Sequence, residues 1–201
     1  MLSPPRTERT GFGRRWCVVV LSLLSLSLMA GCRQNGSVQR REPVSEEAMR
    51  LRVTSVAFEH GAKIPTRYTA DGPDQSPPLR WDDPPQGTKS FALICDDPDA
   101  PRGTWVHWVI WNIPATARGL PEGVPPDPEL PDGSRQGTND FGRIGYGGPA
   151  PPPGKPHRYY FRLYALDTVL TLRPGARRDE LEDAMQGHVL AQGELMGTYG
   201  R

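Results

Sequence analysis

Two histidines, a tyrosine and an aspartate stand beside Pro- and Gly-rich loops, where ionisable groups are well placed to bind a ligand. Asp97 begins the turn DPDAP and His107 follows it, while His157 and Tyr159 follow the run GGPAPPPG. If the two imidazoles converge near Asp97, the carboxylate favours their imidazolium form. Imidazolium groups and the Tyr159 hydroxyl would suit a phosphate monoester or a similar anion.

The two loops could both hold these groups and contact the ligand. Prolines fix φ and restrict the residue before them, so side chains are positioned at a small entropic cost. Glycines let a ligand approach the backbone, whose N–H groups can form an anion-binding nest. Asp97 would repel a dianion unless the two shared a proton, whereas a zwitterion such as phosphoethanolamine would meet both charges.

Two consecutive strands must position Asp97 and His107. Residues 89–97 and 104–113 read as strands, and the period of two separates faces that are both apolar. Such strands are typically covered on both sides, near the middle of a packed sheet system. The alternation predicts two shared faces: Phe91, Leu93, Cys95 and Asp97 in the first strand, and Trp105, His107, Val109 and Trp111 in the second.

The rest of the chain predicts few further elements. Residues 157–167 read as a strand, and helical spacing indicates one helix from Arg177 to about Leu190, followed by a strand near 191–199. Two long stretches dense in Pro and Gly, 114–136 and 137–156, read as loops. Long loops in a compact domain are often functional or mobile.

Composition limits the function classes. The chain has 201 residues with 23 Pro and 22 Gly, which favours many turns and leaves little room for long helices. Residues 1–31 hold 4 of the 24 basic and 1 of the 23 acidic residues, so the remainder has 20 basic and 22 acidic side chains. A body with a formal net charge of −2 carries no electrostatic footprint for nucleic acid.

The N-terminal segment predicts a targeting signal. Paired arginines precede WCVVVLSLLSLSLMAGC, whose apolar part is too short to span a bilayer and ends in small residues. LMAGC resembles the bacterial lipoprotein box, in which a cysteine, here Cys32, is lipidated after cleavage. We therefore expect a signal peptide at 1–31, a lipidated tether at 32–50 and a domain at 51–201, on the periplasmic side of a bacterial envelope. The alternatives are an uncleaved anchor or a plain signal peptide.

Cysteine usage adds one expectation. Cys17 would leave with the signal peptide and Cys32 would take the lipid, so Cys95 would be the single thiol of the mature chain. Its two following aspartates and burial in an apolar strand raise a thiol pKa. We interpret Cys95 as part of the core and not as a nucleophile.

At this point the sequence resembles the phosphatidylethanolamine-binding, or Raf kinase inhibitor-like, protein family. The matching motifs are DPDAP at 97–101, WVHW at 105–108, GGPAPPPG at 147–154 and HRY at 157–159, in the family's order and spacing. The runs NDFGRIGYGGPAPP and GTYGR are similar to the family's bacterial branch. The resemblance implies a mainly β fold, with two packed antiparallel sheets, one helix near the C-terminus and a small anion pocket at one end.

The resemblance also implies the residues of that pocket. Carried over by position, they are Asp97, Pro101, Trp105, His107, Gly147, Gly148, Pro151, His157 and Tyr159. Animal members add a C-terminal helix beside the pocket, whereas this chain stops at Arg201. We therefore expect a pocket that is more open or is partly covered by residues 114–136.

Several of these residues have a purely structural alternative. Asp97 could accept backbone N–H bonds in its own turn, and this role can coexist with ligand binding. His107 could be a satisfied core histidine, and Asp99 is interpreted as structural. Among the tryptophans of its strand only Trp105 is a candidate for the pocket wall. Two arginines are interpreted as a solvated face and not as a phosphate clamp: Arg158 and Arg162.

Three classes of function remain open, and we favour the first. It is a binding or regulatory protein for a small phosphate-bearing ligand, with a protein partner left open and no cofactor. The second is a hydrolase-type enzyme that uses an Asp–His acid/base pair, or a metal held by His107, His157 and Asp97. No activated Ser or Cys and no HExxH motif supports it. The third is a structural envelope lipoprotein. Kinase inhibition is implied by the family name alone.

Overall fold

A computed structural model describes residues 50–201 of the chain. The proposed signal peptide, the lipidation site Cys32 and all but the last residue of the tether lie outside the described residues. The described elements are, in chain order, β1 (Val53–Thr54), a 3₁₀ turn (Thr66–Tyr68), β2 (Leu79–Trp81), β3 (Ser90–Asp97), β4 (Trp105–Pro114), β5 (Gly119–Leu120), β6 (Arg135–Gln136), β7 (His157–Leu166), α1 (Arg178–Met185) and β8 (Val189–Tyr199).

The strands form two antiparallel sheets, which confirms the expected fold class. Three short strands make one sheet in the order β1-β2-β5, and five make the other in the order β6-β4-β3-β7-β8. Trp81 of the small sheet packs against Phe91 of the large one, with ring centroids 5.3 Å apart. Residues 50–201 contain no helix that is long and apolar enough to cross a bilayer.

The central strand β3 is buried on both faces, as its two apolar faces predict. Phe91 and Leu93 belong to the hydrophobic cluster between the two sheets. Ala92 and Ile94 belong to a second cluster on the opposite face, which includes Leu181 of α1. Burial of both faces makes β3 a rigid support for Asp97 at its end.

The strand β4 departs from the predicted alternation. Cys95 pairs with Trp108 while the next residue of β3 pairs with Val106, so His107 is an extra residue in β4. A second irregularity lies near Asn112, whose φ is +55°. Beyond the bulge the predicted faces are confirmed, since Trp108 and Ile110 pack between the sheets and Val109 and Trp111 pack on the other side. Before the bulge the prediction is wrong, because Val106 lies on the side of Val109 and Trp111 and not on that of Trp108. A bulge of this kind re-aims the side chain at the extra position.

The helix α1 is shorter than predicted. It begins after Arg177, whose backbone N–H donates to Glu180 Oε2 at 2.8 Å, and it ends at Met185. Gly187 has a φ of +76°, a conformation that only glycine adopts readily, and the chain enters β8 at Val189. The predicted end at about Leu190 was wrong, because residues 186–188 form a turn and Val189 already belongs to β8.

The outer edge of β8 is paired with residues 50–64, which we call the edge segment. Leu51 N–H donates to Gln192 O, Gly61 N–H to Met196 O and Ile64 N–H to Thr198 O, each at 2.8 Å. The close approach requires glycine in β8, since a Cβ on Gly193 would lie 1.8 Å from the Leu51 carbonyl oxygen. At the other edge of the sheet, β6 has two residues.

Candidate functional site

A cavity of about 470 Å³ opens where β3 ends and where β4 and β7 begin. Because β3 pairs antiparallel with both β4 and β7, the end of β3 lies beside the beginnings of the other two strands. Seven of the nine expected residues line the cavity: Asp97, Pro101, Trp105, His107, Pro151, His157 and Tyr159. The sequence analysis missed five others that line it: Ala100, Arg102, Phe141, Ala150 and Pro152.

Asp97 and His157 form a buried pair in the cavity. Nδ1 of His157 lies 2.8 Å from Oδ2 of Asp97, and both side chains are about nine-tenths buried or more. Oδ1 of Asp97 accepts the backbone N–H of Asp99 at 2.8 Å. Asp97 therefore holds its own turn and the imidazole at once, as the sequence allowed. Because the carboxylate accepts, Nδ1 of His157 is the donor, and Nε2 is left for other contacts.

His107 is held by a two-way bond to Gly147. Its Nδ1 lies 2.5 Å from the Gly147 carbonyl oxygen, and the Gly147 N–H donates to the His107 carbonyl oxygen at 2.9 Å. Burial lowers the pKa of His107 below its usual value, outweighing the opposite effects of the Gly147 carbonyl and of Asp97. The expectation that Asp97 favours imidazolium is thus not met at His107, which is neutral near pH 7.

Gly147 and Gly148 do not line the cavity, and their amides are already paired. Gly147 N–H donates to His107, and Gly148 N–H donates to Oδ1 of Asp74 at 2.6 Å. The expected anion nest at these amides is therefore not formed. The glycines instead allow close packing, because a Cβ on Gly148 would lie 2.6 Å from the Tyr68 carbonyl oxygen.

Two donors that belong to cavity-lining residues have no partner within residues 50–201. They are Oη of Tyr159 and Nε1 of Trp105, both buried atoms. Burial, followed by the nearby Asp97, raises the pKa of Tyr159, so the hydroxyl keeps its proton. An unpaired buried donor costs about 1–3 kcal/mol, which a ligand or water acceptor would offset. Of the three tryptophans in β4, Trp105 alone lines the cavity, as predicted.

Arg102 and Phe141 complete the mouth of the cavity. Arg102 is exposed, and its side chain forms no ion pair or hydrogen bond with the described part of the chain. Phe141 meets Trp105 and His107 edge-on, with ring centroids 5.5 and 5.3 Å apart. Arg102 directly follows the DPDAP turn, which was the available signal; nothing in the sequence marked Phe141.

Of the two expected arrangements of the cavity mouth, a cover formed by residues 114–136 is not found. No residue of 114–136 lines the cavity, and Phe141 from the second irregular stretch lies there instead. Residues 114–136 pack elsewhere: β5 joins the small sheet, and Glu122 accepts a hydrogen bond from the Tyr68 hydroxyl at 2.6 Å. The wall at Pro151 is held from outside by the Arg201 guanidinium, which donates to the Pro151 carbonyl oxygen at 3.3 Å and pairs with Asp71.

The neighbouring charged residues have structural roles. The Arg158 guanidinium donates to both Asp99 oxygens, at 2.7 and 2.8 Å, and lowers the pKa of that carboxyl to about 2. Arg162 pairs with the buried Asp96 and with Glu194. Neither arginine lines the cavity, and Arg162 is only partly exposed, whereas a solvated face was expected.

No metal site or nucleophile accompanies the Asp97–His157 pair in residues 50–201. No group of three or more His, Cys, Asp or Glu side chains is arranged there to hold a metal ion, so the alternative set of His107, His157 and Asp97 does not form one. Cys95 is buried, and burial raises the pKa of its thiol well above the usual value.

Comparison with known proteins points to one family. Residues 54–200 match a family model described as phosphatidylethanolamine-binding protein. A UPF0098 protein of Methanothermobacter thermautotrophicus is 59% identical over 145 residues, which cover 72% of this chain and 95% of the relative. A UPF0098 protein of Aquifex aeolicus is 52% identical over 153 residues, covering 75% of this chain and 89% of the relative.

Two solved structures are similar in both fold and sequence. A putative phosphatidylethanolamine-binding protein homolog from Chlamydia trachomatis has a TM-score of 0.69 and 41% identity, with 76% of this chain and 99% of that chain covered. E. coli YbcL, described as a new member of the mammalian PEBP family, has a TM-score of 0.71 and 37% identity, with 75% and 98% covered. About three quarters of this chain thus corresponds to whole folded chains of its relatives.

Proposed function

Because the chain belongs to the phosphatidylethanolamine-binding protein family, we propose that it is a binding or regulatory protein that holds a small phosphate-bearing ligand in the cavity at the end of β3, β4 and β7. The observation that carries the proposal is a set of donors without protein acceptors. Nε1 of Trp105 is buried without a partner, Oη of Tyr159 has only the nearby Asp97 carboxylate and no well-aligned hydrogen bond to it, and Arg102 at the mouth has no counter-ion in residues 50–201. Phosphate oxygens are the acceptors that such a set suits best.

We propose binding and not turnover as the activity of this cavity. The Asp97–His157 pair could act as an acid or a base. Within residues 50–201, however, no activated serine or cysteine stands beside it, and the one thiol of that part is buried in the core. The Asp97–His157 pair can serve binding alone, because orienting an imidazole towards a bound anion requires no nucleophile.

We also propose that the chain is an envelope lipoprotein of the family's bacterial branch. Residues 1–31 would be the signal peptide, Cys32 would carry the lipid and residues 32–50 would tether the domain at 51–201 to a membrane on the periplasmic side. The support is the sequence pattern alone, a short apolar run that ends in LMAGC. Mass spectrometry of the purified full chain should find an acylated Cys32 at the N-terminus; an intact leader or a free thiol would contradict the proposal.

Calorimetric titration tests the binding proposal. Residues 50–201 correspond to whole folded relatives, so this domain is the species to titrate with inorganic phosphate and phosphoethanolamine at about pH 6. We expect saturable binding, and we expect Arg102→Gln to weaken it about fivefold, because an exposed guanidinium loses part of its attraction to solvent screening. The matched control is Lys155→Gln, which removes an exposed cation that does not line the cavity. Absence of saturable binding at millimolar ligand would contradict the proposed function.

A further inference from the structure

The cavity offers its ligand hydrogen-bond acceptors as well as donors, and the acceptor on His107 bears on which form of phosphate fits. We propose that the cavity selects an oxyanion that still carries a proton, a phosphate with a P–OH group that donates to Nε2 of His107. The inference rests on the proposed phosphate-binding function and goes further, because it ranks phosphate monoesters and inorganic phosphate above phosphodiesters and sulfate.

The acceptor follows from the bond between His107 and Gly147. A carbonyl oxygen can only accept, so the Nδ1 that lies 2.5 Å from the Gly147 oxygen carries a hydrogen. A flip of the ring would break that bond. The Gly147 N–H also donates to the His107 carbonyl oxygen, so the backbone segments that carry the two residues are held together. In a neutral ring the other nitrogen, Nε2, then has a free lone pair. His107 lines the cavity, and Nε2 is the polar atom of its ring that is left for a ligand.

The surroundings of His107 keep the ring neutral. The rings of Tyr159 from β7 and of Phe141 lie edge-on to it at 5.2 and 5.3 Å and contribute to its burial. Three carboxylates act on it: Asp97 at the end of β3, Asp140 from the stretch before β7, and Asp74 from the loop that holds Gly148. Burial outweighs all three and lowers the pKa of His107. The same carboxylates disfavour a second negative charge on the ligand.

A ligand without a P–OH proton is expected to bind this site weakly. A phosphodiester or a sulfate presents oxygen lone pairs to the lone pair of Nε2, and the nitrogen stays buried without a donor. A site built to hydrogen-bond a particular group rejects analogues that lack it, because its own polar atom is left unpaired. We expect the discrimination to be about tenfold or more in affinity.

Four small anions that differ in charge and in whether they carry a P–OH group distinguish selection for the proton from a simple effect of charge or pH. Inorganic phosphate keeps a P–OH group in both forms that it adopts near neutrality, whereas methyl phosphate loses its last proton with a pKa of about 6. Dimethyl phosphate has one charge and no proton, and sulfate has two charges and no proton. Each is titrated calorimetrically into residues 50–201 at about pH 6 and about pH 8.

We expect inorganic phosphate to bind at least about tenfold more tightly than sulfate and dimethyl phosphate at both pH values. The affinity ratio of methyl phosphate to inorganic phosphate should fall at least about tenfold from the lower pH to the higher. Taking this ratio cancels any effect of pH on the protein itself, because the same protein binds both ligands. Sulfate or dimethyl phosphate binding as tightly as inorganic phosphate overturns the inference and leaves the proposed function standing. No binding by any of the four overturns both.

The variant His107→Asn tests the acceptor itself. The asparagine amide nitrogen can keep the donor bond to the Gly147 oxygen, but its side chain stops short of the position of Nε2. We expect the preference for inorganic phosphate over sulfate to shrink to about twofold, with the fold checked by thermal unfolding. A preference that survives unchanged in a folded variant overturns the assignment to Nε2. If this variant does not fold, the ligand series on the wild-type domain still decides the inference.

Discussion

Alanine in place of Asp97 is expected to weaken phosphate binding by at least about thirtyfold. Asp97 is the buried carboxylate that holds His157 through Nδ1 at 2.8 Å and the Asp99 N–H at 2.8 Å. Without it the imidazole loses its fixed orientation, and the turn that carries Arg102 loses its internal bond. Two hydrogen bonds are lost with the carboxylate, and at about 1 kcal/mol each they correspond to about thirtyfold in affinity.

Calorimetry of residues 50–201 with inorganic phosphate measures this loss. The matched control is Asp99→Ala, which lies in the same turn but pairs with Arg158 outside the cavity. We expect the control to retain affinity within about threefold, because exposed ion pairs contribute about 1 kcal/mol or less. If Asp97→Ala bound phosphate as tightly as the control while keeping its circular dichroism spectrum, Asp97 would have no part in binding.

The largest expected change in stability follows replacement of Trp108 by alanine. Trp108 is fully buried between the sheets, and its Nε1 donates to Oε1 of Gln136 at 2.7 Å. Gln136 in turn donates to the carbonyl oxygens of Pro125 and Asp127, so one indole ties the loop before β6 to the core. We expect a loss of about 3–5 kcal/mol in the free energy of unfolding, measured by urea denaturation.

A pair of phenylalanine variants separates the hydrogen bond from the packing. Trp108 and Trp111 are both fully buried in β4, but Nε1 of Trp111 has no partner within the described residues. Trp108→Phe should therefore cost about 1–2 kcal/mol more than Trp111→Phe, since it leaves the Gln136 oxygen unpaired. Equal losses for the two variants would show that the bond to Gln136 contributes nothing measurable.

The sequence predicted the long strands well, because buried strands consist of runs of apolar residues that the sequence shows directly. The predicted strand 89–97 became β3 at Ser90–Asp97, and 157–167 became β7 at His157–Leu166. The faces of β4 were not predictable in the same way. A period of two assumes one partner residue for each residue, and the extra residue at His107 is visible only once β3 is paired with it.

Most of the cavity lining was implied by the family resemblance of short motifs that lie at strand ends. The motifs could not indicate which polar atoms are already hydrogen-bonded within the protein and which are free for a ligand. The Gly148 amide is taken by Asp74, more than 70 residues earlier in the chain, and the Gly147 carbonyl fixes the hydrogen of His107. Both contacts are tertiary, so residue type and spacing carry no trace of them. Phe141 was missed for the same reason.

The pairing of the edge segment with β8 bears on how copies of this chain would associate. An open edge strand is a template on which another molecule can add its own strand, which leads to aggregation or exchange of segments. Here the backbone groups of Gln192, Met196 and Thr198 that point outwards are engaged by residues 50–64. A second molecule could extend the sheet at this edge only after the edge segment had detached. Self-association through β8 therefore requires a local unfolding of the edge segment.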